Sequence, residues 1–145
     1  MRETGVWTYG IVNLGHILGI AVLFGAILLL DLRMLGVWRA LPLAALSRAS
    51  VSAAAAGFIL AVFTGIPMLA TKAGDYVGNP FLLIKFPAIA LALLNVIALH
   101  RSAAWQAHRT RTLSLPERNR LAVHAVLSLG LWLTVITAGR MIGYW

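Results

Sequence analysis

The sequence predicts an all-α integral membrane protein, an up-down bundle of four transmembrane helices, from two observations. Of its 145 residues, 61% are hydrophobic and 11% are charged, which leaves too little polar surface to cover a soluble globule. The hydrophobic residues also fall into four runs of about 20, each long enough to cross the ~30 Å hydrocarbon core of a bilayer as a helix. These runs occupy residues 11–30, 51–71, 81–99 and 121–139.

The four runs predict one transmembrane domain over residues 1–145, with helices at approximately 8–31, 50–72, 80–101 and 120–141. Short connections make successive helices antiparallel neighbours and leave no room for an extramembrane domain. The third helix is expected to begin at Asn79-Pro80, because Asn can cap a helix and Pro suits its first position.

The basic residues predict the orientation in the membrane. In a membrane protein a net charge of +8 reports topology first, and we expect membrane lipid around the chain and no nucleic-acid partner. Eight of the twelve basic residues follow the first or the third run: Arg33, Arg39, Arg48, Arg101, Arg109, Arg111, Arg118 and Arg120. The positive-inside rule then predicts a multi-pass protein of the bacterial inner membrane with both termini in the periplasm.

The first run contains the leading candidate site residue, His16. An ionisable group inside the membrane is costly unless it faces the bundle or a ligand. Asn13 and Gly19 flank it at i−3 and i+3, so one helix face offers a polar group, an imidazole and a gap that suits a flat cofactor such as haem b. The alternative is close helix packing through Gly15 and Gly19, with His16 bonded to a neighbouring helix.

Two further basic residues lie toward the same side of the membrane. Lys85 and His16 have similar depths, because the first and third helices run in the same direction. With Arg140 they would form a basic cavity able to hold anionic groups such as porphyrin propionates. With His16 as an axial ligand of the haem, Lys85 would be the second ligand or a propionate partner. The alternative for Lys85 is snorkelling to the membrane surface. Met68 is a further candidate axial ligand, with simple packing as its alternative.

The remaining histidines lie toward the predicted cytoplasmic side. His100 and His124 end the third helix and begin the fourth, so they form either a bis-histidine haem site or two independent interfacial residues. His108 lies in a basic loop and is expected to be solvated. Asp31 and Arg33 are expected to make a local interfacial interaction.

Several classes of site are disfavoured. The chain has no cysteine, which excludes disulfides, thiolate metal sites and cysteine nucleophiles. It also has no paired carboxylates, Gly-rich phosphate loop or activated serine, so a protease or a phosphotransferase is not expected.

A family resemblance rests on His16 in the first helix, Leu30-Asp31-Leu32-Arg33 at its inner end, and Asn79-Pro80-Phe81-Leu82-Leu83-Ile84-Lys85 leading to Leu99-His100-Arg101. The chain resembles a family of uncharacterised bacterial four-helix inner-membrane proteins. It is more distantly similar to HemJ-type protoporphyrinogen oxidases and to the membrane part of CopD-type copper-resistance proteins. The resemblance implies haem b and activity associated with the first-helix histidine and third-helix lysine, here His16 and Lys85.

The functional expectation is a small b-type haem protein that acts in electron transfer or in porphyrin or quinone redox chemistry, with a quinone or another redox partner. Whether it is an enzyme stays open, as do the second axial ligand and a homo-oligomeric state. The alternative is a non-enzymatic membrane protein without haem, either a copper-handling or permeation element or an accessory subunit.

Overall fold

Four long helices and one short helix make up the chain in the computed structural model, which describes residues 3–74 and 76–144, with side chains from residue 7 onward. The helices are α1 (Glu3–Met34), α2 (Leu43–Thr71), α3 (Pro80–Arg101), the short α4 (Ala103–Ala107) and α5 (Leu115–Met141), followed by a 3₁₀ turn (Ile142–Tyr144). The predicted all-α four-helix bundle is confirmed.

The surface of the bundle is the surface of a membrane protein. The four long helices are long and apolar enough to cross a bilayer. Large apolar side chains point away from the bundle on several helices, with Trp7 75%, Phe63 74% and Leu83 74% exposed. Such side chains are stable when lipid covers them, so the chain is a multi-pass membrane protein.

Three helices extend beyond their predicted boundaries. The first helix covers residues 3–34 rather than 8–31, α2 begins at Leu43 rather than near 50, and α5 begins at Leu115 rather than 120. Hydropathy marks only the part of a helix that lipid surrounds, whereas local capping decides where the helix begins. At α5 the Ser114 N–H donates to Glu117 Oε2 at 2.8 Å. The cap predicted at α3 is confirmed, since Asn79 Oδ1 accepts from the Phe81 N–H at 2.9 Å.

Helix α1 packs against α2 and α5, and α3 packs against α5. We call the end of the bundle that carries residues 35–42 and 102–114 the basic end, and the opposite end, near residues 3 and 144, the terminal end. A cluster of buried residues fills the basic end: Leu30, Met34, Leu99, Ala104, Trp105, Leu121 and Ala125. A second cluster lies at mid-depth: Leu23, Ala88, Ala92, Trp132 and Val135.

Helices α1 and α2 cross in backbone contact at two glycines. A Cβ atom built on Gly19 would lie 2.7 Å from the Ala61 nitrogen and 3.0 Å from the Gly57 oxygen. One built on Gly57 would lie 2.5 Å from the Leu23 nitrogen. Only glycine fits this crossing, which is the small-residue packing typical of membrane helices.

Beyond this crossing α1, α2 and α3 bury no residue toward the terminal end, whereas α5 still buries Val135 and Ala138. Among the described side chains, the first buried residue of α1 is Gly19, the last of α2 is Gly57 and the first of α3 is Ala88. The terminal-end portions of these three helices therefore contain only half-buried and exposed positions. His16 and Lys85 both lie in this portion.

Candidate functional site

His16 joins α1 to α2 through its Nδ1 atom. Nδ1 lies 2.9 Å from the carbonyl oxygen of Ala61 and 3.1 Å from Oγ1 of Thr64. The Thr64 hydroxyl donates its own proton to the Leu60 carbonyl at 2.7 Å, so both neighbours of Nδ1 are acceptors. This network assigns the proton to Nδ1. It leaves Nε2, which has no hydrogen-bond partner among the described residues, with a free lone pair.

Glycine makes room for the His16 ring. A Cβ atom built on Gly65 would lie 2.9 Å from His16 Cε1 and 3.3 Å from Nδ1, so a side chain there would displace the imidazole. Gly15, on the same helix as His16, similarly lies against Thr64, whose Cγ2 would be 3.1 Å from a Cβ at that position. The ring is thus held between two helices by close packing as well as by hydrogen bonds.

Lys85 lies between α3 and α5 and is half-buried. A Cβ atom built on Gly139 would lie 3.5 Å from Lys85 Nζ, so the amino group rests against the bare backbone of α5. His16 lies in the same terminal-end portion of the bundle. Within residues 3–74 and 76–144 Lys85 has no acidic partner, and the ion pair found there joins Arg111 to Glu117 instead.

The other predicted residues of this site are not drawn into contact with His16. Arg140 is exposed, and its Nη2 donates to the Tyr144 hydroxyl at 2.5 Å while the guanidinium lies 4.8 Å from the centre of that ring. Asn13 is half-buried and has no hydrogen-bond partner in the described part of the chain. Met68 is half-buried on the α2 face that also carries Ala61, about two turns away.

His100 and His124 have separate partners. His124 and Asn95 exchange two hydrogen bonds between α5 and α3: Nδ1 with Asn95 Oδ1 at 2.7 Å, and Asn95 Nδ2 with the His124 carbonyl at 3.0 Å. His100 donates from Nδ1 to the Val96 carbonyl of its own helix at 2.9 Å. Its ring also packs 4.9 Å from the ring of Trp105. No described contact joins the two histidines, so the geometry offers no support for a shared cofactor.

The expectation of a solvated His108 is wrong, because α4 turns it into the bundle. His108 is only 8% exposed, and its Nε2 lies 2.9 Å from Oγ of the fully buried Ser47 on α2. Its Nδ1 bonds to the Trp105 carbonyl, and the two rings lie 4.4 Å apart. Burial lowers the pKa of His108, against the opposing effect of the hydrogen bond to Trp105. His108 therefore fastens the α3–α5 connection to α2.

The expected pairing of Asp31 with Arg33 is also wrong, because these residues face opposite ways on α1. Asp31 is 3% exposed and faces Ser128 of α5, and its Oδ2 is buried without a partner. Arg33 donates instead to the Leu41 carbonyl at 2.8 Å and to the Arg39 carbonyl at 3.3 Å, which orders the α1–α2 loop.

A cavity of about 670 Å³ at the basic end is a feature that the sequence reasoning missed. We call it the arginine cavity, because its lining includes Arg33, Arg39, Arg109, Arg111 and Arg118. The signal was present in the arginine-rich segments after the first and third runs. From the sequence alone these arginines indicate only topology, because the sequence does not show that both segments face one space.

No group of three or more His, Asp or Glu side chains able to hold a metal ion occurs in the part of the chain that the structure describes. No protein-family model, curated protein or solved structure matches this chain. The geometry of the residues therefore carries the functional argument.

Proposed function

We propose that this protein binds haem b within the membrane through His16 and acts in electron transfer or in porphyrin or quinone redox chemistry. The observation that carries the proposal is the protonation pattern of His16. Two acceptors hold the proton on Nδ1, so Nε2 presents a lone pair from an apolar helix at membrane depth. An axial histidine needs this tautomer, and such ligands are commonly oriented by a hydrogen bond from the other ring nitrogen to a backbone carbonyl.

The surroundings of His16 support a large planar ligand. At the depth of His16, α1, α2 and α3 contain only half-buried and exposed positions, where a ligand can cover side chains that the protein does not bury. The apolar mid-depth cluster around Trp132 borders this portion, and the buried Trp132 Nε1 has no partner among the described residues. Haem b, when bound, would supply a one-electron redox centre whose potential depends on its ligands and burial.

Lys85 fits the role of a charged partner for an anionic group. An ammonium group half-buried at membrane depth is costly without a counter-charge, and none is found among the described residues near it. A propionate would supply that charge through a charge-assisted hydrogen bond. Ligation of iron by Lys85 is the other role, and it requires the neutral amine.

The second candidate function is a non-enzymatic membrane protein without haem, either a copper-handling or permeation element or an accessory subunit. The observation that favours it is the same hydrogen bond from His16 to Ala61, because a histidine that fastens two helices has a sufficient structural role. In the first candidate His16 Nε2 would bind the haem iron, whereas the second candidate requires only the hydrogen bond of Nδ1.

A substitution can separate the two roles of His16. His16→Asn keeps an amide donor near the position of Nδ1, so the bond to Ala61 can persist, but it removes Nε2. The matched control is His100→Asn, since His100 Nδ1 also donates to a backbone carbonyl, that of Val96. Each protein would be expressed with a haem supply, purified in mild detergent, and examined by absorption spectroscopy in the oxidised and dithionite-reduced states.

We expect wild type and His100→Asn to show a Soret band with reduced α and β bands, and His16→Asn to lose them while keeping its unfolding transition. Colourless wild-type protein would favour the second candidate. Loss of colour in His100→Asn, with colour retained in His16→Asn, would move the site to the basic end and refute the proposal.

A further inference from the structure

The arginine cavity concentrates positive charge, and among the described residues an acidic side chain pairs with Arg111 alone. No Asp or Glu is among its lining residues. Arg111 has an acidic partner in Glu117, at 2.6 Å. For Arg109 and Arg118 the described residues provide no side-chain partner. Arg39 and Arg118 both lie close enough to Arg33 for their charges to repel its guanidinium group.

The first turn of α2 adds backbone donors to the same space. Pro42, Leu43 and Ala44 line the cavity, and the N-cap residue Pro42 makes no side-chain cap. The first backbone hydrogen bond of this helix is made by Leu46, whose N–H donates to the Pro42 carbonyl at 3.1 Å. The N–H groups of the preceding turn are therefore open to an acceptor, at the positive end of a 29-residue helix dipole.

The cavity also has an apolar wall that reaches the outer surface of the bundle. Met34 and Leu121 are buried in it, whereas Leu115 is 70% and Leu35 38% exposed at its edge. It lies where the long apolar helices end, at the level expected for the lipid headgroups. A ligand that is complementary to both the arginines and the apolar wall carries a phosphate and an acyl chain.

We infer that the arginine cavity binds the phosphate headgroup of an anionic phospholipid from the leaflet at the basic end. Guanidinium groups recognise phosphate oxygens through paired hydrogen bonds, and basic pockets between membrane helices favour anionic headgroups. The apolar wall favours a lipid over free phosphate. This site is independent of His16 and of haem.

The test compares two double variants with the same change in net charge. Arg39→Gln/Arg118→Gln removes two cavity arginines whose side chains make no hydrogen bond in the described structure. Arg48→Gln/Arg120→Gln removes two exposed arginines at the same end that do not line the cavity. Arg33 is left in place because it orders the loop. Size-exclusion chromatography and circular dichroism would verify that both double variants are folded.

Native mass spectrometry in mild detergent would measure binding of phosphatidylglycerol, with phosphatidylcholine and inorganic phosphate as separate probes. We expect wild type to bind phosphatidylglycerol in preference to phosphatidylcholine. The cavity variant should bind it about tenfold or more weakly, and the control variant within about twofold of wild type. Rising salt should weaken binding.

Equal losses in both double variants would show general charge attraction and overturn the site. Absence of any preference for phosphatidylglycerol in wild type would overturn it as well. Binding of inorganic phosphate with the same dependence on Arg39 and Arg118, but no binding of lipid, would overturn the lipid as its source.

Discussion

The glycine crossing of α1 and α2 allows a sharp prediction about both stability and the site. Gly19→Ala places a Cβ atom 2.7 Å from the Ala61 nitrogen and 3.0 Å from the Gly57 oxygen. Both obstacles are backbone atoms, so no side chain can rotate away, and the helices must separate. Ala61 also supplies the carbonyl that accepts from His16 Nδ1 at 2.9 Å, so the separation lengthens this hydrogen bond.

The magnitude follows from two terms. Overpacking of a tight contact costs about 1 to 3 kcal/mol. Loss of the His16 hydrogen bond costs about 1 kcal/mol more. Alanine also favours helix over glycine by up to about 1 kcal/mol, which acts in the opposite direction. Gly25→Ala provides a control on the same helix, because a Cβ atom there meets nothing within 4 Å. Both variants gain the same helix propensity from alanine. The difference between their free energies of unfolding, about 2 to 4 kcal/mol, therefore measures the cost of disturbing the α1–α2 crossing.

The assay is unfolding by titration with sodium dodecyl sulfate in mild detergent, followed by tryptophan fluorescence. We expect Gly25→Ala to be as stable as wild type or slightly more stable, and Gly19→Ala to unfold at lower denaturant. Where haem is bound, Gly19→Ala should also bind it more weakly. Equal unfolding free energies for the two alanine variants would refute the tight crossing and the coupling of His16 to it.

Three further predictions concern topology, Lys85 and His108. Alkaline phosphatase fused after Trp145 should be active, because the eight basic residues that follow the first and third apolar runs favour the cytoplasm. An inactive fusion, with a fluorescent cytoplasmic reporter at the same position, would reverse the orientation. If Lys85 pairs with a propionate, Lys85→Arg should keep the haem spectrum while Lys85→Met weakens haem retention by roughly 1.5 to 3 kcal/mol; a five-coordinate high-spin spectrum of Lys85→Arg would instead identify Lys85 as a ligand. Burial lowers the pKa of His108 below 6.5, so its contribution to stability is complete above pH 6.5 and is lost as the pH falls toward the lowered pKa. A fall from pH 7.5 to 5 should therefore lower the thermal unfolding temperature of wild type more than that of His108→Gln, and parallel pH profiles would contradict this.

The fold could be predicted because its main determinant is local. A run of about 20 apolar residues specifies a membrane helix wherever it occurs in the chain. The cap at Asn79 could also be predicted, since capping depends on neighbours within three residues. The early starts of α2 and α5 are not visible in the hydropathy, because Ser47 and Arg48 in α2 and Glu117, Arg118 and Arg120 in α5 separate the first residues of these helices from the apolar runs.

The candidate site could be predicted only in part. His16 and Lys85 were identifiable as ionisable residues at similar depths, because depth follows from the position along a helix. Their partners were not, since Ala61 and Gly139 lie on other helices. Arg140 occurs at a depth that fits the site, yet it is exposed and bonds to Tyr144, because the rotation of α5 presents Gly139 to Lys85.

The amino-acid sequence alone is sufficient to identify a four-helix membrane protein and the depth of each ionisable residue. The partners of these residues depend on how the helices pack: His16 meets Ala61, His108 meets Ser47, and five arginines meet at one cavity. The physical reason is that apolar residues cover most faces of these helices. Hydropathy therefore does not encode their rotation, which close contacts such as that of Gly19 with Gly57 determine instead.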